Sequence, residues 1–481
     1  LPEADRPPQF DETAAFLELG GIFYGYMDIT GQVAKLGDTL TELASAIKET
    51  TPDVPPLPLD FSRLLSASGL SGLQAIGMSS RRLEEDYFHN RTILLFPEGV
   101  SGLFSVFGDS SHPFDSPSLA PAGSDLVFEM DYRPVVLRDT FLEMAAAVAG
   151  PLGSGALASQ LSLGLPQLGG RTPNQVIESL GSRILIILDL TENDREILLS
   201  PEIAVPEMQM LIRLDGVTDL LESARASIES QPGLVWTDVD NGFQIEAQQA
   251  PPPPFEIFEP LIVADTGKDQ VFIASSRAFL DLCRGSGDKL VNSKPFARAT
   301  ESLPEEGVSF SFISPEFFEP LRELFVVAMT SDPDPLPEGF ATGLADWSFP
   351  DIPHALAAVT SIEPNGLYAA SNAANSHRTT VVSLAVQPVA IMSAMAIPAF
   401  SKVRENSQRL AVTNNLRQIA AAGQMYLLEN SALSVSYGEL VGDYLGEIEP
   451  VAGEDYSELV VKMSGTLSVT LRNGETVEYS Y

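Results

Sequence analysis

The chain contains 481 residues, of which 28 are basic and 65 acidic, and its formal net charge is −37. This charge argues against a nucleic-acid-binding protein, because phosphate groups are neutralised by clustered Lys and Arg. A single cysteine excludes an intramolecular disulfide framework, and the four histidines are too far apart in sequence for a zinc motif. The length and the 44% hydrophobic content predict a folded protein of several domains, for which we expect no cofactor and no bound metal.

In the first 375 residues, an apolar strand runs directly into an amphipathic helix four times, at 23–29, 126–132, 210–217 and 308–315. Each strand ends near a residue of a type that favours the N-terminus of a helix. These residues are Asp28, Asp131, Asp215 and Ser314.

The spacing of these units predicts an internal duplication. Asp28 and Asp215 are separated by 215 − 28 = 187 residues, and Asp131 and Ser314 by 314 − 131 = 183. A second pair of similar strands begins at Ile76 and Ile273, where 273 − 76 = 197. We therefore predict an α+β fold with two diverged α+β repeats, residues 1–172 and 173–375. The alternative is that strand–helix connections of this kind recur without duplication.

Two hairpins are predicted in the second repeat. Residues 234–247 alternate around Asp240-Asn241-Gly242, and residues 261–275 alternate around a turn at 266–268. The single cysteine, Cys283, follows soon after among apolar neighbours, which is typical of a core thiol rather than a reactive one.

The last hundred residues change character. Residues 379–401 contain no charged side chain, which makes 401 − 379 + 1 = 23 uncharged positions. From 401 to about 430 the pattern is amphipathic, with apolar or small residues at helical spacing on one face. These residues are Val412, Leu416, Ile419, Gly423 and Tyr426. Strands are predicted at 459–463, 466–472 and 476–481.

A hydrophobic half-helix, an amphipathic half-helix and then a small antiparallel sheet resemble the type IV pilins and type II secretion pseudopilins. The stretch 396–404 is similar to that family's helix where it leaves the membrane, and 414–419 to the part that packs on its sheet. The resemblance covers about 376–481 and implies a module that packs subunits into a filament and anchors them in a membrane beforehand. Two hallmarks are missing, since Ser376-His377 stands at the Gly-Phe processing site and Val381 at the family's glutamate.

The uncharged segment 379–401 is long enough to span a membrane, yet Gln387 and Pro388 interrupt it. A membrane-spanning helix and a helix buried against protein therefore both remain open. In either case we predict that its large apolar side chains form the interaction element. The predicted interaction residues are Leu384, Val389, Ile391, Met392, Met395, Ile397, Pro398 and Phe400.

Sequence motifs for catalysis are absent: there is no GxSxG, GxGxxG, GxxxxGK[ST] or HExxH pattern. The polar group His89-Asn90-Arg91 is the one cluster that merits a structural test, although the sequence favours a surface turn there over a functional site. A ligand-binding cleft between the two repeats would require Arg81, Arg82 and Arg277 to converge with a carboxylate.

These patterns predict a non-enzymatic structural or interaction protein of the cell envelope, with a pilin-like assembly module at 376–481. Expected partners are further copies of the chain or other pilin-like subunits, with membrane contact through 379–401 and no nucleic acid. The chain begins at Leu1 without Met, which favours a mature start after a removed signal peptide over a shortened chain. We therefore expect a periplasmic or extracellular location, and a membrane anchor at 379–401 remains open. The alternative function is a periplasmic ligand-binding or hydrolytic protein with a cleft between the repeats.

Overall fold

The computed structural model describes most of the chain. The described ranges are 6–50, 60–190, 196–200, 203–206, 208–248, 260–330, 353–377, 412–471 without 431, 443, 447, 449 and 452, and 476–481, with isolated positions 339, 342, 343, 345, 346 and 409.

The chain divides into two compact units, Leu1–Val381 and Val382–Tyr481. Residues 1–172 and 173–375 both belong to the first unit, and their strands alternate within one sheet. Position 172 is therefore not a boundary between two separately packed bodies. The reason is that strands of each range find their hydrogen-bonding partners in the other range.

The first unit is an α+β structure built on an antiparallel sheet of thirteen strands. The sheet strands are β1 (Phe23–Asp28), β2 (Ala75–Glu84), β3 (Tyr87–Leu95), β5 (Leu126–Asp131), β6 (Arg183–Asp189), β9 (Gln209–Asp215), β10 (Leu234–Val239), β11 (Gly242–Ala247), β12 (Leu261–Asp265), β13 (Gln270–Ala274), β15 (Ser309–Ile313), β16 (Leu356–Glu363) and β17 (Gly366–Ala373). Two small ladders pair β4 (His112–Pro113) with β14 (Glu306–Gly307) and β7 (Glu196–Ser200) with β8 (Ile203–Pro206).

Helices cover both faces of this sheet. They are α1 (Phe10–Ala14), α2 (Gln32–Thr50), α3 (Phe61–Ala67), α4 (Ser116–Leu119), α5 (Pro134–Gln160), α6 (Pro173–Ser179), α7 (Thr218–Glu229), α8 (Arg277–Arg284), α9 (Lys294–Ala299) and α10 (Phe318–Thr330). Phe279 and Cys283 of α8 enter the main core, together with Val127, Leu185 and Phe312 of the sheet. A second core of Val217, Phe243, Ile245, Ala264 and Val271 lies beside α7 on the opposite face.

The strand order is β1-β2-β3-β17-β16-β15-β5-β6-β9-β13-β12-β11-β10. Read outward from the central β15–β5 pair, the strands on the two sides follow the same chain order. Thus β1, β2, β3, β5, β6 and β9 occupy positions equivalent to β11, β12, β13, β15, β16 and β17. β10 is an additional strand at one edge.

The residue pairing between strands shows the same equivalence between the two sides of the sheet. Phe128 pairs with Ser311, and 311 − 128 = 183. The paired residues then run through Ile186, Ile212 and Ile273 on one side, and through Ala358, Ser371 and Asn90 on the other. Ile273 and Asn90, the last residues of the two series, are also separated by 273 − 90 = 183 positions. The relation pairs β5 with β15, as the sequence suggested, but it matches β1 to β11 and not to β9, so that part of the sequence alignment was wrong.

Several predicted elements are confirmed in detail. All four strands at the predicted strand–helix units form, as β1, β5, β9 and β15. Both hairpins form, with Val239 paired to Gly242 in one and Asp265 to Gln270 in the other. Asn241, in the first turn, has a φ of +65°, a conformation that Asn adopts more readily than most residues.

The predicted helix N-caps are wrong. Helix α5 begins at Pro134 after Arg133, and α7 begins at Thr218 after Val217, so Asp131 and Asp215 still lie within their strands. Both carboxylates instead pair with arginines of the sheet. Ser314 precedes a 3₁₀ turn, and its hydroxyl donates to Asp125 rather than capping.

In the second unit, a helix at 412–430 packs on short strands. Val412, Leu416 and Ile419 are fully buried against a core from those strands, as the amphipathic pattern predicted. The strands form two separate ladders rather than one sheet. They are β18 (Ser434–Ser436) with β19 (Val460–Lys462), and β20 (Thr466–Thr470) with β21 (Thr476–Ser480). The sequence reading omitted β18, which is only three residues long.

Gly423 is the tightest point of this packing. A Cβ at Gly423 would lie 2.5 Å from the Val461 side chain. We therefore expect Gly423→Ala to destabilise the second unit by about 1–3 kcal/mol through overpacking, although Ala normally stabilises a helix relative to Gly by up to about 1 kcal/mol. Amide hydrogen exchange across 412–430 measures the effect.

Gly438→Ala is the matched control, because nothing lies within 4 Å of a Cβ there. Protection in Gly423→Ala that equals or exceeds that of the wild type would show that the helix does not approach β19 this closely.

Candidate functional site

The predicted interaction residues lie outside the described part of the chain. This applies to all eight: Leu384, Val389, Ile391, Met392, Met395, Ile397, Pro398 and Phe400. Their role stays a prediction. The structure does describe the amphipathic helix at 412–430 that follows them. The apolar face of this helix packs into the core of the second unit.

The three arginines proposed to line a cleft do not meet. Arg81 donates to Glu18 at 2.8 Å, and Arg82 lies over the ring of Phe88. Arg277 is near the other edge of the sheet, where it pairs with Glu246. Each guanidinium thus has a separate local partner, and no observation favours the cleft.

The His89 group is a buried chain of hydrogen bonds and not a surface turn. His89 Nδ1 is 2.7 Å from Asn372 Oδ1, and its Nε2 accepts from Arg91 Nε at 3.0 Å. Arg91 in turn pairs with Glu18 at 2.7 Å. These residues come from adjacent strands, since Asn372 of β17 pairs with His89 of β3.

The partners fix the protonation of His89. Asn372 uses its amide nitrogen to donate to the carbonyls of Ala299 and Glu301, so its oxygen must accept the proton on His89 Nδ1. Arg91 can only donate, so Nε2 must be unprotonated. Burial lowers the pKa of His89, and also that of His377, whose Nε2 lies 3.1 Å from Thr92 Oγ1. Both histidines are held neutral.

A second polar group is more strongly charged. We call it the Arg183 cluster; it consists of His112, Asp115, Glu129, Asp131, Arg183, Arg213 and Asp215. The sheet positions most of it, because Asp131 of β5 pairs directly with Arg183 of β6. In the next row, Glu129 and Arg213 lie on either side of Leu185. Alternation along the strands therefore puts these charges on one face.

The ion pairs of the Arg183 cluster are short. Arg183 contacts Asp115 at 3.1 Å and Asp131 at 3.3 Å, and Arg213 contacts the same Asp115 oxygen at 3.0 Å. Asp115 bridges the two arginines from the half-exposed side of the cluster. Glu129 is 1% exposed; one oxygen accepts from Ser116 N at 2.7 Å, while the other lies 3.6 Å from Arg183.

Four carboxylates here face two arginines and one histidine, so negative charge is in excess. Burial raises the pKa of Glu129, although the Ser116 amide and Arg183 act in the opposite direction. Burial likewise raises the pKa of Asp131 and of Asp215 despite their arginine partners. The chemistry that the cluster offers is therefore uptake and release of a proton.

His112 is the one imidazole of the cluster, and both of its nitrogens are engaged. Nε2 lies 2.8 Å from Asp131 and 3.0 Å from Arg183, and Nδ1 lies 2.8 Å from the Pro113 carbonyl. Among the residues that the structure describes, no hydroxyl or thiol contacts either nitrogen. The core thiol Cys283 is confirmed as buried, and burial raises its pKa to about 12.

Comparison with protein families, with curated proteins and with solved structures gives no match for this chain. Within the described ranges, no three or more His, Cys, Asp or Glu side chains are placed to hold a metal ion. Of the helices described, none has the length and apolar character to cross a membrane.

Sequence reasoning missed the Arg183 cluster because its members are far apart in the chain; Asp115 and Arg213 are 98 residues apart. A usable signal was present. Glu129 and Arg213 are charged residues inside otherwise apolar strands, and buried strand positions seldom hold a charge without a partner.

The neutral histidines give a pH dependence of known sign. Their folded pKa values lie below the usual value near 6.5, so the stability they contribute is full above that pH and is lost as the pH falls. We expect the free energy of unfolding of the wild type to decrease relative to that of His89→Gln from about pH 7.5 to pH 5.5, because Gln can still donate to Asn372 and accept from Arg91 but does not titrate. The comparison is made with this variant because the buried carboxylates, whose raised pKa values act in the opposite direction, are present in both proteins. An unchanged slope in His89→Gln would contradict a neutral His89.

Glu129 should act in the opposite direction. Its folded pKa is raised, so the stability it contributes is present below its unfolded value near 4.5 and is lost as the pH rises through the folded value. The stability of Glu129→Gln relative to the wild type should therefore increase with pH, as followed by denaturant titrations from about pH 4 to pH 8. Glu98→Gln, at an exposed position, controls for loss of one negative charge. A difference that shrinks with pH would show that the arginines dominate over burial.

Proposed function

We propose that this chain is a non-enzymatic structural or interaction protein of the cell envelope that assembles through a pilin-like module. The observation that carries the proposal is the folding of Val382–Tyr481 as a compact unit in which an amphipathic helix packs on short strands. The uncharged stretch 379–401 lies ten residues before the start of that helix at 412. An apolar segment followed by a helix with its own small core is typical of an assembly module.

The use of the helix surface supports this proposal. The core of the second unit draws on Val412, Leu416, Ile419 and Leu427, all buried by the unit's own strands and loops. Large apolar side chains of 384–400 require another partner, and burying each of the larger ones is worth about 1.5–3 kcal/mol. Further copies of this chain, other pilin-like subunits or a membrane surface would supply that partner.

The proposed location is periplasmic or extracellular, with membrane contact through 379–401. Nucleic acid is not a proposed partner, because a net charge of −37 repels phosphate. The acidic surface of this chain suits a salt-containing environment, because salt screens the repulsion between its negative charges.

The first unit would be two diverged α+β copies whose strands interleave in one sheet. The same strand order on both sides of the β15–β5 pair supports a duplication, as does the separation of 183 residues at both ends of the register relation. In such an arrangement each copy completes the other's sheet, as two exchanged subunits would.

Non-enzymatic action is proposed from the chemistry of the two polar groups. In the His89 chain the imidazole is fixed in a neutral, fully bonded form, and in the Arg183 cluster both nitrogens of His112 are engaged. Neither group pairs a base with a nucleophile.

The decisive variant is Ile391→Asp combined with Met395→Asp, which places two charges in the apolar segment. We expect loss of higher-order assemblies and of membrane association, measured by light scattering and vesicle flotation, with an unchanged melting temperature of the first unit. Leu433→Asp is the control, because it makes the same kind of change at a position that is 92% exposed.

A collapse of the whole fold in the double variant, together with a wild type that never assembles, would make this segment ordinary core and refute the proposed assembly role.

A further inference from the structure

Within the described residues, β1 and β10 are the two edge strands of the thirteen-stranded sheet. In β1, Ile29 N donates to Gln74 O, and the antiparallel pattern alternates from there. Residues 23, 25 and 27 therefore bond to β2, whereas the backbone N–H and C=O groups of Tyr24, Tyr26 and Asp28 face away from the sheet. An edge of this kind is a template for another strand.

The β1 edge lacks the usual protection against pairing. Proteins protect exposed edges with Lys, Pro, inward-facing charges or bulges. β1 contains neither Lys nor Pro and has no register shift against β2. Residues 19–27 carry no charge at all, and Ile22 and Met27 are 40% and 56% exposed. In a chain of net charge −37, this is a place where two acidic surfaces can approach.

The acidic residue that precedes β1 is neutralised by ion pairs. Glu18, the nearest acidic residue before it, is paired with Arg81 at 2.8 Å and with Arg91 at 2.7 Å. A second copy approaching β1 therefore does not meet an uncompensated negative charge at this end of the strand.

The β10 edge differs in charge. Asp238 lies on its outward-facing backbone positions and is paired with Arg225, and Asp240 follows directly. The β10 edge therefore carries two aspartates, whereas the β1 edge carries Asp28 alone. The two edges are thus not equivalent as contact surfaces.

The opposite half of the sheet indicates what fits beside β1. β1 is equivalent in position to β11, and β11 is covered by β10, which runs antiparallel to it. In the described ranges no strand occupies the matching place beside β1. The missing element is therefore an extended, antiparallel segment, and β1 of a second copy is one that two-fold symmetry supplies automatically.

We propose that two copies of this chain pair antiparallel through their β1 strands, which joins their sheets into one. Centring the pair on Gly25 puts Tyr24 opposite Tyr26 of the second copy and Phe23 opposite Met27. The outward backbone groups of Tyr24 and Tyr26 then bond to each other, and the two Asp28 side chains lie at opposite ends. The interface is independent of the pilin-like module and does not require it.

The test uses the full chain and measures mass by sedimentation equilibrium. The wild type, and the Ile391→Asp, Met395→Asp double variant, should both contain a species of twice 51.6 kDa. Made in the double variant, where assembly through the module is removed, Tyr24→Pro takes away an outward N–H from each copy and should reduce the mass to 51.6 kDa. Met27→Lys, which keeps every backbone N–H, should also give the mass of a single chain. This variant tests the proposal if Tyr24→Pro fails to fold.

Val239→Lys on the β10 edge is the matched control and should remain dimeric. A disulfide test gives the register: Gly25→Cys should cross-link two copies under oxidising conditions, because facing residues of a non-hydrogen-bonded pair are close enough for a disulfide. Gly287→Cys, with nothing within 4 Å of its Cβ, should not. Three results would each overturn the proposal. They are a double variant that is monomeric at all concentrations, a dimer that persists with either β1 substitution, and the absence of a cross-link at position 25.

Discussion

The pairing of Phe128 with Ser311 at the centre of the thirteen-stranded sheet sets the register on which the first unit depends. Side chains alternate between the two faces along a strand, so a slip of one residue would exchange the faces. Val127 and Phe312 would leave the main core, and Glu129 would leave its arginine partner. The core and the Arg183 cluster lie on the same face and are therefore fixed by the same pairing.

The excess of acidic residues explains the positions of several arginines. The chain has 28 Lys and Arg against 65 acidic residues. Arg183 contacts three carboxylates and Arg213 contacts two, with Asp115 common to both, and Arg91 links His89 to Glu18. Burying carboxylates without such partners would cost several kcal/mol each. The arginines thus make an acidic strand sequence compatible with a continuous sheet.

Local elements were predictable from sequence, whereas their partners were not. Alternation and turn residues predicted both hairpins around Asn241 and 266–268, because these signals act over a few residues. Asp131 and Asp215 have a side chain that favours helix N-caps, but strand pairing and an arginine compete for both carboxylates. Asp131 pairs with Arg183, 52 positions away in the neighbouring strand, whereas Asp215 pairs with Arg213 of its own strand, which the sheet holds in place. The order of strands, in which β3 pairs with β17, depends on contacts across the whole chain. The interaction residues of 384–400 remain predictions from hydrophobicity alone.

Self-association is the central claim, and electron microscopy of the purified intact chain tests it most directly. We expect ordered assemblies larger than a dimer, as filaments or rings, from the two proposed contacts, one through 384–400 and one through β1. A field of uniform single particles of 51.6 kDa, unchanged by concentration or by added membrane, would contradict it.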